Sequence, residues 1–273
     1  MLRLATGLVA LAVLAISASS ADAAPGRVFA ARAGADAEVS SNWAGYAVTG
    51  ANPDGTPTTY TDVTGSWVQP TITCTRGNRS YSAFWVGLGG FSSNSQALEQ
   101  LGTESNCDGQ GHPAYDAWWE IVPAPSTPLK LKINPGDSIT AAVLVKGTEV
   151  TLQLTNNTRR TRATKRISVA APDLTSAEWI AEAPSTCTSA GQCTPLPLAN
   201  FGSVSFAHSA ATDATHAGTI NDPAWNPTAI ELAEQSTANP SFMRQPTSPS
   251  GAVTSDLSAD GRAFSVVWHP ASA

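Results

Sequence analysis

"YDAWWEIVP", Tyr115 to Pro123, sets the backbone type from which the rest of the chain is read. Laid out as a β-strand, it sends Tyr115, Ala117, Trp119 and Ile121 one way and Asp116, Trp118 and Glu120 the other. The first set suits a core. The second puts two carboxylates either side of a tryptophan, which suits either a solvated face or the floor of a site. Working outward, helical periodicity is almost absent. Short β-rich runs recur instead, bounded by Gly, Pro, Asn and Asp: "NWAGYAVTG", "TDVTGSWVQP", "SAFWVGLGG", "LKLKI", "DSITAAVLV", "EVTLQLT", "KRISVA", "SAEWIAEA", "FGSVSFA", "TAIELA" and "AFSVVWHP". Hairpin turns are expected at Lys146–Gly147 and Asn156–Asn157. Strands this short and this frequent predict an all-β sandwich or barrel. "SAFWVGLGG" is apolar on both faces and should lie centrally, whereas "LKLKI" and "TLQLT" are apolar on one face and should lie outside.

The ends of the chain read differently. Met1–Leu2–Arg3, the apolar run "LVALAVLAI" and "ADA" ending at Ala23 have the layout of a secretory signal peptide over residues 1–23. That apolar run is too short to span a bilayer, and no later run reaches about 18 apolar residues. The expected protein is therefore secreted, extracellular and free of the membrane. Residues 24–38 read as a small-residue tail or short pro-segment, and residues 39–273 as a single domain without linker or repeat. Cys74, Cys107, Cys187 and Cys193 fit export as two disulfides, with three possible pairings; proximity favours Cys187–Cys193 and leaves Cys74–Cys107. "NRS" at Asn78 and "NNT" at Asn156 are glycosylation sequons, which matter only in a eukaryotic host.

Charged residues make up 13% of the chain and the net charge is −6, a poor profile for binding nucleic acid. The one basic run, "RRTRATKR" from Arg159 to Arg166, alternates with small residues and reads as a solvated strand face. With no C-x-x-C pair and four scattered histidines, no metal is expected. No G-x-S-x-G elbow, H-E-x-x-H helix, P-loop or D-[ST]-G triplet is present. What remains is acid and amide chemistry. Alternation groups Gln96, Leu98, Gln100, Gly102 and Glu104 on one face of "QALEQLGTES", and Glu178, Ile180 and Glu182 on one face of "SAEWIAEAP". Were these faces to converge with Asp116, Trp118 and Glu120, the crowded carboxylates would raise one another's pKa values.

"SSNWAGY", "FWVGLGG", "ALEQLG", "YDAWWE", "GDSI", "AEWIAEAP" and "ANFGSVSF" follow the order of matching segments in the glutamic peptidases, or eqolisins. The chain resembles that family from about Ser40 to Trp268. The resemblance implies two large stacked antiparallel sheets, one bent into a substrate groove, and endopeptidase activity on polypeptides in acid. It implies a catalytic pair, Gln100 in "LEQLG" and Glu182 closing "AEWIAE", and no cofactor. Trp43, Gly45, Trp85, Asp116, Trp118 and Glu120 would line the groove or support the pair. The chain departs from the family at Gly89, where similar proteins carry an Asp, and at Ala183–Pro184. Two rival readings are a non-catalytic sandwich binding carbohydrate or peptide on its tryptophans and a two-carboxylate glycosidase. Gln100 paired with Glu182 separates the peptidase from both. Nothing in the sequence demands an oligomer, and a monomer is expected.

Overall fold

The computed structural model describes residues 37–92, 95–188, 193–233 and 251–270. The signal peptide and most of the tail read from the sequence lie outside these residues. Eighteen strands run through the described chain: β1 (Glu38–Ser40), β2 (Trp43–Thr49), β3 (Tyr60–Val68), β4 (Ser80–Leu88), β5 (Leu98–Cys107), β6 (Pro113–Val122), β7 (Thr127–Leu129), β8 (Ser138–Lys146) and β9 (Glu149–Asn156). They continue as β10 (Thr161–Ser168), β11 (Ala177–Glu182), β12 (Ser185–Cys187), β13 (Cys193–Pro195), β14 (Ser203–Asp213), β15 (Ala217–Gly218), β16 (Asn226–Ala233), β17 (Gly251–Thr254) and β18 (Phe264–His269).

Sixteen of these strands belong to one sheet that folds over on itself. One half runs β10-β9-β8-β3-β14-β18 and the other β16-β2-β11-β4-β5-β6-β7, with β17 hydrogen-bonded to both β18 and β16 at the fold line. The two stacked layers expected from the family resemblance are thus halves of a continuous ladder. Cross-layer hydrogen bonds hold them face to face. The Trp67 indole on β3 donates to Thr103 Oγ1 on β5 at 3.0 Å, and the Trp179 indole on β11 donates to the Thr64 carbonyl on β3 at 2.8 Å. Both tryptophans are buried and spend their only polar atom on these bonds, so burial carries no unpaired N–H.

Alternation sets what lies between the layers. Val150, Leu152 and Leu154 of β9 face Phe84, Val86 and Leu101 within one apolar cluster. Each such side chain contributes about 1.5–3 kcal/mol on burial. Strand β4 is central and buried on both faces, as its sequence predicts. Strand β10 is a sheet edge with alternating exposure, so the basic run is a solvated strand; its Lys165 lies over the Trp119 ring.

Four local expectations need correction. "LKLKI" is not a strand beyond Leu129: the ladder of β7 stops there, although Leu131 and Ile133 still turn into the core. The first hairpin turns at Gly147–Thr148, because Lys146 and Glu149 are paired, one residue later than read. The second hairpin turns over residues 157–160, because Asn156 still pairs with Thr161, and not at Asn156–Asn157. Gln96 precedes β5 and so does not share its strand face. The disulfides are Cys74–Cys107, tying the segment after β3 to the end of β5, and Cys187–Cys193, closing the small β12–β13 ladder.

Candidate active site

The half of the sheet from β2 to β6 arranges the face expected to form the groove in three cross-strand rows, because each register aligns residues of the same parity. Reading β2, β11, β4, β5 and β6 in turn, the first row is Trp43, Glu182, Ala83, Glu104 and Asp116. The second is Gly45, Ile180, Trp85, Gly102 and Trp118. The third is Ala47, Glu178, Gly87, Gln100 and Glu120. The catalytic pair and the groove residues read from the sequence, Gln100, Glu182, Trp43, Gly45, Trp85, Asp116, Trp118 and Glu120, all lie in these rows, whereas Gln96 and Leu98 do not. The rows come from chain segments far apart in sequence, and β11 is the element that joins them by inserting between β2 and β4.

The middle row is an alternation of absent and large side chains. A Cβ on Gly102 would collide with the Phe84 carbonyl and approach the Trp85 Cβ within 2.6 Å. Gly45, at φ 146°, presses its backbone on the Trp179 carbonyl. Gly45 therefore lets β2 approach β11 closely, and its place in the groove is its floor. Trp85 is wholly buried and Trp118 nearly so, while Trp43 is half-buried and meets Trp85 edge to face with centroids 5.0 Å apart.

Glu182 and Gln100 sit diagonally across β4, opposite Ala83 and Gly87, with Trp85 midway. The Trp85 indole spans that diagonal. Its Nε1–H donates to Glu182 Oε2 at 2.7 Å. Its opposite edge, at Cζ3, lies 3.0 Å from where a Gly87 Cβ would be, and Gln100 Cβ lies 3.2 Å from the same point. Asn42 Nδ2 donates to the other oxygen, Oε1, at 3.1 Å. Burial pushes the Glu182 pKa up to about 7 from 4.5; the Trp85 indole draws it down, the Glu120 charge raises it, and the Trp43 indole and Asn42 amide draw it down again. Gln100 donates from Nε2 to Glu120 Oε2 at 2.6 Å, leaving its buried Oε1 without a partner. Glu120 is itself raised by burial against the Gln100 bond. Glu104 is raised by burial and by its neighbour Asp116, which stands exposed at the rim.

Two functional features escaped the sequence reading. Asn42 stands in the quoted "SSNWAGY", but nothing local tells that it reaches a residue 140 positions away. Glu178 and Glu99 are wholly buried carboxyls without a well-formed hydrogen bond on either oxygen, and burial raises both pKa values. Glu178 thus lacks the donors that converge on Glu182, which favours Glu182 as the residue able to carry a negative charge. Beside them, Asp173 fills the space above Gly89, its Cβ 2.6 Å from where a glycine Cβ would lie. Among the described residues, no group of three or more His, Cys, Asp or Glu is placed to hold a metal.

The folded-over sheet sets a carboxylate, Glu182, and a carboxamide, Gln100, along one tryptophan-lined face, an arrangement of acid and amide groups on an all-β scaffold. The chain belongs to the Peptidase A4 family, the glutamic peptidases, whose family model matches residues 41–253. Scytalido-glutamic peptidase, solved with a peptide-based transition state analog, is similar at 24% identity over 84% of this chain and 98% of that one, with a TM-score of 0.63. SCP-B, an eqolisin solved with the tripeptide Ala-Ile-His, matches at 22% identity over 84% and 98%, TM-score 0.61. Aspergilloglutamic peptidase from Aspergillus niger matches at 25% identity over 70% and 99%, TM-score 0.50. No curated protein sequence matches the chain.

Proposed function

We propose that this glutamic-type endopeptidase cleaves polypeptides with Glu182 as general base and Gln100 as oxyanion donor, outside the cell and in mildly acid conditions. The observation that carries the reading is the convergence of two neutral donors, the Trp85 indole and the Asn42 amide, on the two oxygens of one half-buried carboxylate. Such donors stabilise the ionised form without adding charge, while burial keeps the group basic. With its pKa pushed up to about 7, Glu182 is a stronger base towards water than an exposed carboxylate, and in mild acid the ionised fraction of the enzyme carries the reaction.

The steps follow from these placements. Glu182 accepts a proton from water as the water oxygen bonds to the peptide carbon, and the carbonyl electron pair moves onto oxygen. Gln100 has two N–H hydrogens on Nε2: one goes to Glu120, and the other is available for the developing oxyanion. The carbon–nitrogen bond then breaks, and the acid form of Glu182 protonates the departing amine. Protonation of Glu120 in acid lifts its charge from Glu182 and extends the working range downward. Export is supported by the N-terminal sequence and by the two disulfides.

The carbohydrate-binding alternative is disfavoured because Trp85 and Trp118 are buried and offer no open ring for stacking. Incubation with denatured casein across acid to neutral pH tests the assignment. Gln100→Ala should slow cleavage by about two to three powers of ten, and Glu182→Gln by more, with near-native circular dichroism in both. Full activity in either variant refutes the roles.

A further inference from the structure

At Gly89, where the chain departs from similar proteins, the place of a side chain is taken by another residue. A Cβ there would lie 2.6 Å from both the Cβ and the carbonyl oxygen of Asp173, and 2.9 Å from its Cγ. Gly89 and Gly90 hold φ angles of 79° and 93°, so the chain leaves β4 in a conformation that favours glycine. Asp173 belongs to the segment before β11, and the Gly89 N–H ties that segment to the end of β4 by donating to the Ser176 carbonyl at 3.1 Å. A carboxylate is thus delivered to the end of β4 from a distant part of the chain.

Both oxygens of that carboxylate are engaged. Oδ1 accepts from the Thr175 N–H at 2.9 Å and the Thr175 hydroxyl at 2.7 Å, which fixes the carboxylate within its own segment. Oδ2 meets the Ser95 hydroxyl, on the connection from β4 to β5. Burial raises the Asp173 pKa, but these donors and the Gly90 N–H outweigh it, so the anchor stays ionised in mild acid. Ser95 Oγ in turn accepts from the Gly90 N–H at 3.0 Å and lies 2.8 Å from the Ala97 carbonyl. Ser95 therefore ties together the two ends of the connection, one at β4 and one at β5. The next residue, Leu98, carries that placement to the site. Its side chain lies 3.1 to 3.3 Å from where a Gly90 Cβ would be and 2.9 Å from where a Gly87 Cβ would be, and Gln100 Cβ lies 3.2 Å from the latter point.

We propose that Asp173 is a positioning residue for the oxyanion donor: by holding Ser95 it fixes how the chain enters β5 and so where the Gln100 amide points. The proposal rests on the reading of Gln100 as that donor. Misplacing a catalytic group by about 1 Å costs up to about 100-fold in rate. Because the oxyanion exists only beyond the ground state, the loss falls on kcat and leaves KM nearly unchanged.

A double-mutant cycle tests this, with steady-state kinetics on one peptide for the wild type, Asp173→Ala, Gln100→Ala and the double variant. Each is checked by circular dichroism and assayed well below its own Tm. Asp173→Ala should lower kcat about 10- to 100-fold in the wild-type background. With Gln100 already replaced, the same change should alter kcat by less than about twofold, because there is no amide left to aim. Ser95→Ala should behave as Asp173→Ala does, and it carries the same cycle if Asp173→Ala does not fold. An equal loss in both backgrounds, or a wild-type kcat in the single variants, overturns the positioning role alone. Full activity of Gln100→Ala overturns the oxyanion assignment and the positioning role together.

Discussion

Replacing Glu99 by Gln should remove a large fall in stability between acid and mildly alkaline pH and make the variant's curve cross that of the wild type. Glu99 is wholly buried on the core side of β5, opposite Leu88 and Ile121. Burial pushes its pKa up to about 8 from 4.5, the Asp173 charge adds to the rise, and backbone N–H groups of Asp173 and Glu99 offset part of it. Asp173 behaves oppositely: burial raises it, but the Ser95 and Thr175 hydroxyls and the Thr175 and Gly90 N–H groups outweigh burial and hold it low. The folded protein therefore keeps a proton on Glu99 over a range in which the unfolded chain has released it. Stability from this group is complete below pH 4.5, falls as pH rises, and levels off above about 8. At about 1.4 kcal/mol per pH unit, the loss across that window is on the order of 5 kcal/mol, comparable with the whole stability of many domains. Glu99→Gln cannot ionise. In acid it should be equal to or less stable than the wild type, by up to about 1–3 kcal/mol for an imperfectly paired amide. Near pH 8 it should be the more stable protein. Urea unfolding at steps from pH 3 to 8, with a common m-value, measures both curves. Curves that run parallel instead of crossing would refute the reasoning.

Other predictions follow from single contacts. Trp85→Phe removes the N–H bonded to Glu182 at 2.7 Å; a hydrogen bond to a charged group is worth about 1.5–3 kcal/mol, so the acid limb of kcat/KM should move up by about one to two pH units. An unmoved limb with only a lower plateau would show that the indole packs without tuning the carboxyl. Gly102→Ala should abolish folding, read as loss of soluble protein or of cooperative melting, because its methyl would strike the Phe84 carbonyl and the Trp85 side chain. Replacing Cys74 and Cys107 together with Ala should cost about 4 kcal/mol from the reopened 33-residue loop, measured by urea unfolding.

The rows of the groove show where local pattern sufficed. Side-chain alternation has a period of two, so "YDAWWE" alone placed Asp116, Trp118 and Glu120 on one face, and "AEWIAE" did the same for Glu178, Ile180 and Glu182. The double-sided apolarity of "SAFWVGLGG" placed β4 in the interior for the same reason. "LKLKI" misled because alternation reports which side chains are buried, and Leu131 and Ile133 are buried without a strand partner. Family resemblance, not periodicity, singled out Gln100 and Glu182 among the other polar residues of those faces.

The amino-acid order by itself determined most of the strands, which side chains are buried and the chemical types available for catalysis, since alternation depends on neighbours two residues apart. Which strand lies beside which was settled only when the chain closed on itself. β11 meets β4 and β2 although Glu182 lies 97 residues from Trp85 and 140 from Asn42, and that pairing sets Glu182 beside Trp43 and Trp85, with the Asn42 amide on one oxygen. The same closure buries Glu99 and Glu178 completely and Glu182 in part, and so assigns unlike proton affinities to three glutamates that are chemically identical in the unfolded chain. Solvation and hydrogen-bond donors are properties of a place in space, and no residue carries them along the sequence.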